Sequence, residues 1–416
     1  MDKKDFNLNI SRFRAFVLSC LRTLLICFTG IMLLPAGCVL PFEPAGVKDT
    51  AGILVVEGMI METGTTIKLS RTVTIFDTSD KPASGLEGVS NARVHVIDDN
   101  NRVIAVALPQ NAAGTEKYIS YVVHDSIPFN PGVKYALDIH TGDRHYQSAF
   151  VTPAGTPEID EITWQQNTDN SIDIMVSTHD TENATKYYRW EFEEDWEIRS
   201  RYLALLRYDP ETKTVVEQSI RGPNNRYYCW TSDKSKSLIL GTSDRLTETR
   251  IKNKKIYRFP AGTSRFSYLY SILVKQYGID QEAYTYFENI QKNIEQSGSI
   301  FSPQPTELQG NIRCVSHPGE PVIGYICATK KVVSRIFIDM EFMKGDDEFD
   351  CAYADPPWGR SWVESELPYA YENNALGIVY RQPGGFTFEL AHVRCVDCTE
   401  RGGTKNKPDF WPNNHQ

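Results

Sequence analysis

A mainly β fold in two parts is the expectation for this chain, and three observations carry it. Short runs rich in Val, Ile, Thr and Tyr recur between turn residues in the first half. A Pro- and Gly-bearing break falls at Pro153, Ala154, Gly155, Thr156 and Pro157. A single helical period stands out late, from Ile279 to Ile294.

The first part holds seven such runs: Ile53 to Met61, Thr65 to Phe76, Ala92 to Asp98, Val103 to Leu108, Lys117 to His124, Val133 to His140 and His145 to Val151. About seven short strands in some hundred residues is the pattern of an immunoglobulin-like β-sandwich, here placed at residues 51–153. The boundary is set at the Pro153–Pro157 break.

Residues 157–416 read as a larger, mostly β domain. Its expected strands are Ile159 to Trp164, Ile172 to Ser177, Tyr187 to Trp196, Tyr202 to Tyr208 and Tyr227 to Trp230. Alternation from Phe266 to Val274 adds another. Further strands run from Val322 to Ala328, Val332 to Met340 and Phe386 to Val393. One amphipathic helix interrupts them, with Ile279, Ala283, Tyr286, Phe287, Ile290 and Ile294 at three- and four-residue steps. Asp280 and Glu282 suit its positive N-terminal end, and Gly298 is a natural stop.

The N-terminus carries the sharpest motif. Lys3, Lys4, Arg12 and Arg14 precede an apolar run from Thr23 to Leu34, then Pro35, Ala36, Gly37 and Cys38. Residues 1–37 therefore read as a lipoprotein signal peptide, with cleavage after Gly37 and lipidation of Cys38. Pro35 stands where such signals usually carry an aliphatic residue. Arg22 leaves about a dozen apolar residues after it, too few for the ~20 a spanning helix needs. Residues 38–50, with Pro41 and Pro44, form a tether between lipid and domain. The signal implies export and attachment to a membrane through the lipid.

The formal net charge is −9. Residues 1–37 hold five of the basic and two of the acidic residues, so the remainder carries −12. That sign argues against nucleic acid, whose phosphates require a basic face.

Six cysteines follow Cys38: Cys229, Cys314, Cys327, Cys351, Cys395 and Cys398. An even count in an exported chain suggests disulfides. Cys314 and Cys327 flank the turn-rich His317 to Pro321, so a hairpin there would bring them together, and that bridge is favoured. The other four pair among themselves, Cys395–Cys398 included. In an oxidising compartment a structural bridge explains this CxxC better than zinc or redox chemistry.

The stretches LVVEGMI (Leu54 to Ile60), IKLSRT (Ile67 to Thr72), PEIDEI (Pro157 to Ile162), YYRW (Tyr187 to Trp190) and ILVKQYGIDQEAYTYFENIQKN (Ile272 to Asn293) now stand together with GSIFSPQPTELQGNI (Gly298 to Ile312) and the tail CVDCTERGGTKNKPDFW (Cys395 to Trp411). Together they resemble a Bacteroidota lipoprotein family of unknown function, the DUF4249 type. The resemblance runs from about Cys38 to the end. It implies an outer-membrane lipoprotein whose gene often lies beside that of a TonB-dependent transporter. It implies no catalytic residue.

Enzyme signatures are absent: there is no nucleophile elbow, P-loop, paired zinc-binding histidines on a helix or dinucleotide fingerprint. No cofactor or metal is expected. His140 and His145 flank a short turn and could meet across it, but no third ligand is evident, so they read as ordinary strand histidines. Glu191, Glu193, Asp195 and Glu197 share one strand face, and Trp190, Phe192, Glu194 and Trp196 the other, as on a solvated edge. Asp346, Asp347, Glu348 and Asp350 lack the spacing of an EF-hand calcium loop.

Trp358, Trp362, Tyr369 and Tyr371 crowd one Pro- and Gly-containing stretch. Aromatics on a loop can form a ligand or partner platform, though packing on Phe410 and Trp411 to cap the fold is favoured, since large aromatics are more often buried. The expected function is a non-enzymatic accessory or ligand-capture partner of a TonB-dependent transporter. The alternatives are a hydrolase, glycosidase or peptidase, with carboxylates converging from distant segments, and a structural or adhesive envelope lipoprotein.

Overall fold

The computed structural model describes residues 52–73, 85–110, 117–219, 225–246, 248–296, 309–339, 351–354 and 361–412. The signal peptide, Cys38, the tether, Gly298, the run from Asp346 to Asp350 and Trp358 lie outside the described residues. The fold is mainly β, in several sheets. No helix among the described residues is long and apolar enough to cross a membrane.

Eight strands open it: β1 (Leu54–Met61), β2 (Thr66–Thr72), β3 (Leu86–Gly88), β4 (Ala92–Asp98), β5 (Val103–Gln110), β6 (Ile119–Val122), β7 (Tyr135–Thr141) and β8 (Arg144–Ser148). Each expected run holds one, and β3 is additional. Their alternation sets what they bury. In β7, Tyr135, Leu137 and Ile139 enter the core while Asp138 and His140 are half-buried on the opposite face.

The next strands are β9 (Ile159–Gln166), β10 (Ile172–His179), β11 (Tyr187–Arg199), β12 (Leu206–Asp209), β13 (Thr214–Glu217), β14 (Tyr228–Lys234), β15 (Ile239–Thr242), β16 (Arg250–Phe259) and β17 (Leu269–Ile279). The chain then returns to the first sheet through β18 (Ile312–Cys314), β19 (Val322–Gly324) and β20 (Ala328–Thr329). That sheet runs β18-β8-β7-β4-β5-β6-β2-β1-β19, with β20 also on β1 and β3 on β2. Residues 312–329 thus complete a sheet begun at Leu54. β5 pairs with β4 through Val103–Ala107 and with β6 through Leu108–Gln110, so one strand serves both halves. Both halves feed a single core, Leu54, Ile67 and Leu69 meeting Val94, Leu137 and Tyr146.

A second core lies between the sheet β16-β10-β9 and the sheet β14-β11-β17-β21, in which β21 is Lys331–Asp339 and β15 also pairs with β11. Ile172, Ile174 and Phe259 from the first sheet meet Trp190, Tyr270 and Ile272 from the second. Trp190 is fully buried, and its Nε1–H donates to Gln276 Oε1 at 2.8 Å. Gln276 Nε2 donates onward to Pro157 O (2.8 Å) and Thr178 Oγ1 (3.0 Å). Each polar group in this chain of bonds is satisfied, which makes the network a strong specifier of packing.

The Pro153–Pro157 break is tied on both sides. Thr156 Oγ1 donates to Lys330 O at 2.6 Å and accepts from Gly278 N at 2.8 Å. Thr185 Oγ1 donates to Gly155 O at 3.1 Å.

The helix spans Gln281–Gln296. Asp280 caps it, accepting from Ala283 N at 2.6 Å. Ala283, Tyr286, Phe287 and Ile290 pack with Met59, Leu240 and Cys327, whereas Ile294 is 66% exposed. A second, eight-residue helix, Leu367–Asn374, corrects the expectation of one; Pro368 opens it and Ala375, at φ 48°, closes it. Eight residues are too few for a periodic signal to emerge. This helix packs on the sheet of β22 (Tyr353–Ala354), β23 (Trp362–Val363), β24 (Leu376–Arg381) and β25 (Thr387–His392), whose neighbours in the core include Tyr208 of β12.

Candidate functional site

The cysteines organise the C-terminal module. Cys229 of β14 is bonded to Cys398, and Cys351 to Cys395, with Cα separations of 5.7 Å in both. The two CxxC thiols therefore reach distant partners rather than each other. Cys398 N also donates to Arg226 O at 2.9 Å, and Tyr202 N to Cys395 O at 2.9 Å. Gly403 lets the loop close against Cys229, since a Cβ there would lie 2.5 Å from the Cys229 Cβ.

The favoured Cys314–Cys327 bridge is not formed; both thiols are buried and free. The reason is strand pairing. The turn at His317–Pro321 joins strands that do not pair with each other, because β18 pairs with β8 and β19 with β1. Cys314 then packs in the first core and Cys327 beside the Gln281–Gln296 helix. Burial pushes the Cys327 thiol up to about 12.

Of the four aromatics offered as a platform, Trp358 lies outside the described residues, and Trp362, Tyr369 and Tyr371 do not form an exposed group. Trp362 is 1% exposed and packs with Tyr208, Leu367 and Ala370, its Nε1–H donating to Ala354 O at 2.9 Å. As the largest apolar side chain in a small module it is the natural core residue. Tyr371 leans on Tyr208 with ring centroids 5.7 Å apart, and Tyr369 is exposed. Phe410 and Trp411 pack against Phe337 instead.

A different aromatic group faces solvent. Tyr353 stacks on Tyr202 at 5.3 Å and meets Tyr380 edge-on at 6.3 Å. Tyr353 and Tyr380 are 48% and 44% exposed. The hydroxyl of Tyr202 donates to the carbonyl of Cys351, so the second disulfide positions the stack. Glu389 stands opposite Tyr380 and pairs with Gln382, whose Oε1 accepts from Thr387 Oγ1 at 2.7 Å. Burial, with Glu389 beside it, raises the Tyr380 phenol above its usual range. Tyr202, Tyr353 and Tyr380 come from segments far apart in sequence, and no local signal links them. Flat aromatic faces beside a carboxylate and amides can hold a sugar ring or a peptide.

The acidic strand is interior rather than an edge, with β14 and β15 on one side of β11 and β17 on the other. Glu191 pairs with Arg189 (2.6 Å), Glu193 with Lys275 (2.5 Å) and Asp195 with Arg335 (3.1 Å), and Glu197, itself buried, pairs with Arg199 (2.5 Å). On the core side, Glu194 accepts from Arg265 Nε (3.0 Å) and the Tyr270 hydroxyl (2.9 Å). Burial raises its carboxyl, against the pull of Arg265. Arg265 in turn lies over the Trp196 ring at 4.6 Å. Pairing of this kind leaves few lone pairs for chemistry, although Glu197 Oε2 is buried without a hydrogen-bond partner.

The sequence model of DUF4249, a domain of unknown function, matches residues 40–335. The chain belongs to the DUF4249 family. The match covers the first sheet and ends within β21, so Tyr353, Tyr380 and three of the four bonded cysteines lie past the DUF4249 region, whereas Tyr202 lies within it. No curated protein matches the chain.

Two histidine-bearing clusters lie inside the DUF4249 match. Asp138, His140 and His145 place their ligand atoms within 4.8 Å of one another, as do Cys314, His317 and Glu320. In the second, Glu320 is already engaged: Arg144 Nε donates to it at 2.5 Å, and the Tyr146 hydroxyl donates to its other oxygen. Burial opposes ionisation of Glu320, but these two bonds outweigh it and keep the carboxyl below its usual range. In the first, His140 and His145 do meet across the turn, and Asp138 joins them. Strand alternation held that signal, because Asp138 and His140 are two residues apart and share a face.

Proposed function

We propose that this protein is an outer-membrane lipoprotein, anchored through Cys38, that serves as a non-enzymatic ligand-capture or docking partner of a TonB-dependent transporter in a member of the Bacteroidota. The observation that carries the contact is the pair of exposed tyrosines, Tyr353 and Tyr380, meeting edge-on over a module cross-linked twice. A rigid aromatic surface binds with little loss of side-chain freedom. The run from Leu33 to Cys38 supports the anchor. We read the first sheet as an immunoglobulin-like sandwich that spaces this module from the membrane, on the grounds that β5 serves both halves around one core.

The test is a pull-down of the tagged full chain from detergent-solubilised outer membranes, with mass spectrometry of what co-purifies. A TonB-dependent barrel in near-equal amount is expected. The pair Tyr353→Ala with Tyr380→Ala should lose it while the chain stays membrane-bound. Recovery of the chain alone, or of the barrel equally with the tyrosine variant, would overturn the respective parts. Cys38→Ser should release the chain to the soluble fraction.

A further inference from the structure

The outward face of the first sheet carries a set of donors that anchoring and docking do not use. β7 and β8 form a hairpin across Gly142 and Asp143, with His140 directly opposite His145. Tyr146, Leu137 and Ile139 fill the core on the other face, so both imidazoles stand outward. Their rings are stacked, centroids 4.1 Å apart and planes 5° from parallel. Both turn the same atom to one carboxylate. His145 Nε2 is 2.6 Å from Asp138 Oδ1, and His140 Nε2 is 3.1 Å from Asp138 Oδ2. The side chains are 29%, 35% and 13% exposed for His145, His140 and Asp138. The group is held by strands and remains open to solvent.

We propose that Asp138, His140 and His145 bind one divalent transition-metal ion of the zinc, copper or nickel type. Two imidazole nitrogens and one carboxylate oxygen form the donor set those ions favour over magnesium or calcium. Donor bonds of ~2.0–2.2 Å place neighbouring ligands about 3.3 Å apart in a tetrahedron. The donors here already lie within 4.8 Å of one another, so modest ring rotations complete the geometry.

The flanking strands add to this. On β4, His95 stands opposite Asp138 and Arg93 opposite His140; on β8, Gln147 stands opposite Asp138. Directly opposed residues share a face. His95 is thus a further imidazole on that face, and Arg93, together with Arg313 of β18 opposite Gln147, supplies positive charge there that opposes a cation. Coordination positions not filled by protein open to solvent and are available to water or a small ligand.

The experiment is zinc titration by calorimetry of the full chain, purified in detergent without a polyhistidine tag and stripped with chelator. One saturable zinc site is expected, with magnesium giving none. His140→Ala and His145→Ala should each weaken zinc by more than the roughly 10- to 100-fold that loss of a merely supporting group costs. The double variant should abolish binding with its circular dichroism unchanged, and Glu320→Gln should leave it intact. No saturable zinc binding by the wild type, or equal binding by the folded double variant, would overturn the proposal. Histidine carbethoxylation of the wild type provides a reading independent of variants. Zinc should protect His140 and His145 while the exposed His124 stays reactive, and equal modification with and without zinc would also overturn it.

Discussion

Removing the Cys229–Cys398 bridge should lower stability measurably, and by an amount the chain path sets. The two residues are 169 apart in sequence, and Cys351 and Cys395 are 44 apart. In the chain-entropy account, a loop of the first length contributes about 5 kcal/mol and one of the second about 4 kcal/mol. With Cys351–Cys395 intact, the first loop is effectively shortened by the shortcut between those residues, which changes its contribution by only a few tenths of a kcal/mol because the dependence is logarithmic. The unit from Thr50 to Gln416 should have an unfolding entropy of roughly 0.8 kcal/mol/K at about 2.1 cal/mol/K per residue. Cys229→Ala with Cys398→Ala should therefore lower Tm by about 6 °C, and the Cys351→Ala, Cys395→Ala pair by about 5 °C. The assay is thermal unfolding by circular dichroism under non-reducing conditions, with peptide mapping of the oxidised wild type. A shift under ~1 °C for the first pair would refute the reasoning. So would a map joining Cys395 to Cys398, or Cys314 to Cys327.

Three further outcomes are expected. Gly278→Ala should destabilise by about 1–3 kcal/mol or more in urea unfolding, because a Cβ there would lie 2.0 Å from the Gly155 carbonyl oxygen; a change within ~0.5 kcal/mol would show that the Gly155 segment yields freely. Asp173 accepts two bonds from Arg258, at 2.6 and 2.7 Å, and these lower its carboxyl to about 2. A lowered carboxyl stabilises the fold above its ordinary value of 3.8, and that stabilisation is lost as pH falls through about 2. Relative to Asp173→Asn, the wild type should thus be more stable at pH 6 and lose its advantage below pH 3.8; a gap constant with pH would sink the argument. Cys314 and Cys327 should resist iodoacetamide in the native state and react in denaturant, given their burial; native labelling at the rate of an exposed thiol would contradict the packing.

Local chemistry decided how much could be read in advance. Ala92–Asp98 stands where its alternation placed it, and Asp280 caps the helix whose apolar stripe it precedes. β16 carries no strand signal in the sequence, because Lys252, Asn253, Lys254 and Lys255 separate Ile251 from Ile256 and only its inward residues keep the pattern. The cysteine pairing and the fate of Trp362 depend on which distant strands meet, and no local pattern encodes that. The turn at His317–Pro321 has hairpin composition, yet its flanking strands bond elsewhere. The Asp138 cluster lay between these extremes: period-two alternation plus a two-residue turn places all three side chains on one face. What alternation could not say is that both imidazoles turn the same nitrogen to one carboxylate.

The late return of β18, β19 and β20 bears on how the chain is made. Both ends of the first sheet, β8 on one side and β1 on the other, await residues beyond position 311. At about 5–20 residues per second, a growing chain would carry those two bare edges for about 10–35 s after β8 emerges. Unpaired edges of that kind recruit other chains. A chaperone that holds the nascent protein until Thr329 is available would answer the hazard, and a truncation ending at Pro153 would leave it permanent.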